Sequence, residues 1–143
     1  MKAALRITLK AGERIYVNGA VIRVDRKVAL EFLNNVTFLI EHHVVKPEET
    51  TTPLRQLYFM IQTTLMEPGG SAAAVEMAAR SLQLLESTFA NGEVLEGLAK
   101  VKIAMERQRY MDALKVIRSL FPIEDSILNV ASAMDVERVA ACK

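Results

Sequence analysis

Arg6, Lys10, Arg14 and Arg23 recur through the stretch RITLKAGERIYVNGAVIRV, with Tyr16 and Asn18 among them and Arg26 and Lys27 just beyond. Guanidinium and ammonium groups grip phosphates, and an aromatic ring among them offers an unpaired base a stacking surface. On that chemistry Arg6, Lys10, Arg14, Tyr16, Asn18, Arg23, Arg26 and Lys27 are candidate RNA-binding residues, with Tyr16 and Asn18 placed to read a base. The plainer reading is a solvated sheet face, where Lys and Arg also guard against edge pairing.

Bond-making chemistry finds less to work with. The sequence has no P-loop, GxGxxG, HExxH, CxxC or GxSxG pattern. His42 and His43 are adjacent, so on a strand they point to opposite faces and cannot chelate one ion from the same side. Glu48-Glu49 and Glu124-Asp125 fall in connecting or terminal segments and read as solvated caps. A ribonuclease would want a His, Lys or carboxylate cluster beside the basic face, and only Glu13 and Asp25 lie near it. No catalytic residue, metal site or cofactor is expected, and the protein reads as a non-enzyme.

Charge is distributed unevenly behind a formal net of +1. Residues 1–47 carry eight Lys/Arg against four Asp/Glu, while residues 48–143 carry ten against thirteen. The basic excess therefore coincides with the candidate surface and hints at an anionic partner. Apolar runs are broken by charge well short of the roughly 18 residues a membrane span needs. With no signal-peptide pattern and with Cys142 as the sole cysteine, a reducing cytoplasm is the expected location and no membrane is expected as a partner.

Strands must position the basic residues. Leu5, Ile7 and Leu9 alternate with Arg6, Thr8 and Lys10, the period of two of a half-buried strand. Ala11-Gly12 supplies a turn, and Asn18-Gly19 signals a type I′ hairpin between Arg14–Val17 and Ala20–Val24. A second hairpin is expected between Val28–Leu33 and Val36–Glu41 through Asn34-Asn35. The sum is an antiparallel sheet or small open barrel of about five strands, with its cationic residues on one outer face.

One apolar sheet face needs a cover, and the rest of the chain supplies helical spacing. Thr52-Pro53 reads as an N-cap with proline at the first helical position. The stripe Leu54, Leu57, Tyr58, Ile61, Leu65 follows, closed by Pro68-Gly69-Gly70, with Ser71 able to cap the next helix. Val75, Ala78, Leu82, Leu85 and Phe89 form the next stripe, then Val94, Leu98, Val101 and Met105. Tyr110, Leu114, Ile117 and Phe121 form a fourth, with Pro122 closing the turn and a weakly helical tail beyond. The expected class is α+β, a strand lobe over residues 1–46 and a bundle of about four helices over 47–143, expected to fold as one cooperative domain.

Three blocks in order, LRITLKAGERIYVNGAVIRV, TPLRQLYFMIQTTLMEP and RYMDALKVIRSLFPIE, resemble the FlbT family, and the likeness covers the chain to about residue 128. The resemblance implies a post-transcriptional regulator that binds the 5′ untranslated region of flagellin mRNA and represses translation or promotes transcript decay, with relatives of the opposite sign. It also implies work alongside a companion flagellar regulator, FlaF. It brings no RNA-contacting residues with it, so those rest on the strand face. The alternative is a protein-binding flagellar assembly module whose Met- and Leu-rich helical half, with a tetratricopeptide-like pair, grips flagellin or another flagellar protein. Open sheet edges also suit a homodimer.

Overall fold

The computed structural model describes residues 5–34, 36–66 and 72–141, residues 130–141 as backbone only. Its five strands precede its helices, so the class is α+β as the periodicities indicate. The strands divide into two antiparallel ladders. β1 (Leu5–Leu9) pairs with β4 (Val28–Phe32), while β2 (Arg14–Val17) lies between β3 (Ala20–Arg23) and β5 (Phe38–Ile40).

The hairpin at Asn18-Gly19 forms as its sequence demands. Asn18 has φ 49° and Gly19 φ 86°, the left-handed values a type I′ turn needs at both positions. Gly12, φ 81°, similarly lets the Lys10 carbonyl accept from Glu13 N at 3.0 Å. The second expected hairpin is corrected: β4 pairs with β1 rather than β5, and β5 pairs with β2. Asn35 itself lies outside the described residues.

The physical reason is burial between the ladders. Phe32 of β4 meets Phe38 of β5 at 4.9 Å between ring centroids. Strand alternation then turns Leu9 and Ile15 inward from the two ladders, and both are almost completely buried. A flat five-stranded meander would leave one of these apolar faces in water.

Four helices follow two short 3₁₀ turns at Glu41–His43 and Pro47–Glu49: α1 (Pro53–Met66), α2 (Ala72–Thr88), α3 (Gly92–Glu106) and α4 (Tyr110–Ala141). Thr52 caps α1 as expected, its Oγ1 accepting from Arg55 N at 3.3 Å. Asn91 caps α3 by accepting from the backbone N–H of Glu93 and Val94. The stripes predicted from spacing supply much of the core, including Leu54, Ile61, Leu82, Leu98 and Ile117. Leu39 of β5 belongs to the same core and pins the strands to the helices. The Gly69-Gly70 turn and the Ser71 cap lie outside the described residues, as does Cys142.

Pro122 does not end its helix; α4 continues through it. Proline removes one i→i−4 bond at a cost of about 3 kcal/mol, but packing beyond it holds the chain helical. Glu124 is fully buried and accepts from Leu54 N at 2.8 Å, while Ile123 and Ile127 pack against the core. Glu124 is therefore no solvated cap. Its neighbour Asp125 receives two hydrogen bonds from Arg55, at 2.9 and 3.1 Å, and Arg55 stacks over Phe121 at 4.5 Å.

Candidate nucleic-acid interface

Arg14 and Arg23 are direct cross-strand partners in the β2–β3 ladder, and both are exposed. Gly12 N donates to Val24 O at 2.7 Å, so the turn after β1 abuts the turn after β3. Lys10 directly follows Leu9 and Lys27 directly precedes its partner Val28, and continuing that antiparallel register sets the two lysines opposite one another. Arg26 stands between Asp25 and Lys27. Five of the eight sequence-predicted residues, Lys10, Arg14, Arg23, Arg26 and Lys27, thus gather at one end of the strand lobe.

Three carboxylates share that end. Glu13 accepts from Lys10 N at 3.1 Å and Glu41 from Arg14 N at 3.0 Å, both bonds to backbone rather than to the cationic heads. Asp25 meets Arg26 Nε at 3.4 Å, an exposed pair that water screens. The cationic heads of Lys10, Arg14, Arg23 and Lys27 have no carboxylate within ion-pair distance among the described residues.

The other three residues stand apart, so the single cationic face expected from the sequence is corrected. Arg6 lies opposite Glu31 in the β1–β4 ladder, whereas Arg14 and Arg23 pair in the β3–β2–β5 ladder. Alternation is kept along each strand; the division of the strands into two ladders is what separates Arg6 from Arg14 and Arg23. Tyr16 shares the Arg14 face but is half-buried, lining a crevice with Leu65 and Met66 at the end of α1. Asn18 Oδ1 accepts from Thr37 N at 3.3 Å and its own N–H donates to Thr37 O, so this side chain fastens the hairpin to β5.

Another polar group, unsuspected from sequence, ties the Glu41–His43 turn to α1 and α4. Arg118 Nη1 donates to the Tyr58 hydroxyl at 2.9 Å, and that hydroxyl donates to the His43 carbonyl. Burial pushes the His43 pKa below its usual 6.5, with the Arg118 and His42 charges adding to the effect. Burial pushes the Tyr58 pKa up, against the opposing pull of Arg118. The signal in the sequence was slight: Lys115 and Arg118 lie three apart on the flank of the Leu114–Ile117 stripe. His42 and His43 sit on a 3₁₀ turn rather than a strand end. Among the described residues there is no group of three potential metal ligands, and no helix is long and apolar enough to cross a membrane.

The model of the family described as flagellar protein FlbT matches residues 5–128. A probable flagellum biosynthesis repressor protein FlbT from Rhizobium leguminosarum bv. trifolii is 57% identical over 129 residues, 90% of this chain and 87% of the relative. The protein of the same description from Agrobacterium fabrum is 50% identical over the same shares. That from Brucella anthropi is 48% identical over 131 residues, 92% of this chain and 86% of the relative. No solved structure matches the chain.

Proposed function

The chain belongs to the FlbT family, and from that premise we propose that it regulates flagellin synthesis by binding the 5′ untranslated region of flagellin mRNA. Occupying the leader would lower translation or open the transcript to decay. The relatives' name, flagellum biosynthesis repressor, supports the repressive sense.

The observation that carries the proposal is the Arg14–Arg23 cross-strand pair inside a cluster of five cations. Like charges directly opposite in a ladder destabilise it, and a bound polyanion relieves that repulsion. Phosphate contacts from Lys10, Arg14, Arg23, Arg26 and Lys27 supply salt-sensitive affinity. Tyr16, beside Arg14 on the same face, offers its exposed edge to a base, while Arg6, on the other ladder, and Asn18, tied to Thr37, lie outside the cluster.

Filter binding of flagellin leader RNA at two salt concentrations tests this. Each phosphate contact steepens the dependence of log K on log salt by roughly 0.7 for a single strand. Arg14→Ala/Arg23→Ala is expected to flatten the slope by about 1.4 as well as to weaken binding. Absent or salt-insensitive RNA binding, alongside tight binding of flagellin, sinks the proposal and favours a protein-gripping module.

A further inference from the structure

Between the strand lobe and α4 lies a cavity of about 310 Å³ with two unlike walls. Ile7, Phe38 and Ile40 make one side apolar; His43, Lys115 and Arg118 make the other polar. The volume lies at the small end of the roughly 300–1,000 Å³ typical of small-molecule sites. Phe38 N donates to Met111 Sδ at 3.4 Å, which ties the apolar wall to the helix carrying the cations.

Lys115 and Arg118 lie three residues apart on α4, adjacent on its surface. Among the described residues neither has a carboxylate within ion-pair distance. Asp112, the acid that lines the cavity among the described residues, is paired with Arg109 at 2.7 Å. Arg118 is half-buried, and its bond to the Tyr58 hydroxyl fixes the guanidinium beside His43. A partly desolvated cation without a counter-ion is costly, and an incoming anion offsets that cost with charge-assisted hydrogen bonds.

We propose that this cavity binds a nucleotide, its phosphate held by Lys115 and Arg118 and its base laid against Phe38 and Ile40. The site uses none of the five cations at the end of the strand lobe, so it goes beyond leader binding there. A free nucleotide and one unit of a single strand present the same chemistry.

Isothermal titration of adenosine and uridine 5′-monophosphates into the full chain tests it, with adenosine, uridine and inorganic phosphate as truncated probes. Saturable binding of a nucleotide is expected, at least about tenfold tighter than its nucleoside or phosphate, because both walls contribute. Lys115→Glu changes an exposed side chain and leaves the core alone; it is expected to weaken the nucleotide by at least about tenfold. Competition by leader RNA that is itself sensitive to Lys115→Glu identifies a strand as the source. RNA that binds without displacing the mononucleotide identifies a free nucleotide. No saturable nucleotide binding, or equal affinity in wild type and Lys115→Glu, overturns the site; loss of RNA binding in Arg14→Ala/Arg23→Ala still stands or falls separately.

Discussion

Single residues here do work that their types conceal. Glu124 looks like a surface acid, yet it is fully buried, accepts from Leu54 N and lies 3.5 Å from Arg55. Removing it strands a backbone donor at the start of α1, so Glu124→Ala is expected to cost about 2–4 kcal/mol in urea unfolding. Glu124→Gln keeps an acceptor and is expected to cost less; equal losses would refute the capping role. His43 gives a pH dependence. Its folded pKa lies below 6.5, so the unfolded chain binds the extra proton more readily. Its share of stability is full above about pH 6.5 and declines as pH falls through that value towards the folded pKa. Urea midpoints followed downward from neutral pH are expected to fall less steeply in His43→Gln than in wild type.

At the scale of elements, a turn and a close helix crossing carry the clearest expectations. Gln108 holds φ 58° between α3 and α4, a left-handed conformation that glycine adopts without the roughly 1–2 kcal/mol charged to other residues. Gln108→Gly is therefore expected to raise stability by about 1 kcal/mol in thermal unfolding. Gly97 of α3 is buried, and a Cβ there would stand 2.7 Å from Leu120 Cδ1 of α4. Gly97→Ala gains about 1 kcal/mol of helix propensity but overpacks the crossing by about 1–3 kcal/mol. Leu120→Ala opens space for the new methyl, so a double-mutant cycle is expected to show favourable coupling of at least about 0.5 kcal/mol. Additive losses would mean that the two helices do not meet as described.

Across the whole molecule, Leu39 is the link to test, because it comes from β5 yet lies in the helical core. Leu39→Ala is expected to cost about 2–5 kcal/mol. Strand and helix signals are expected to shift together along one denaturant transition; two separated transitions would mean that the strand lobe and the helices fold independently. The same connection places the His43–Lys115–Arg118 cavity at the seam between them. It also leaves the cationic end of the strand lobe free of helical cover, since Lys10, Arg14, Arg23, Arg26 and Lys27 are all exposed.

The chain alone determined the pieces. Alternation marked the strands, helical spacing marked Leu54, Leu82, Leu98 and Ile117 as core, and Asn18-Gly19 fixed a hairpin, because each signal is local and spans only a few residues. Only tertiary structure decided which strands pair, that Arg6 stands apart from Arg14, that α4 runs through Pro122, and that Glu124 is buried. Those outcomes depend on contacts between distant residues, such as Phe32 with Phe38 and Leu54 with Glu124. Local periodicity tells a side chain which way to face, but the packing of one face on another decides what it meets there.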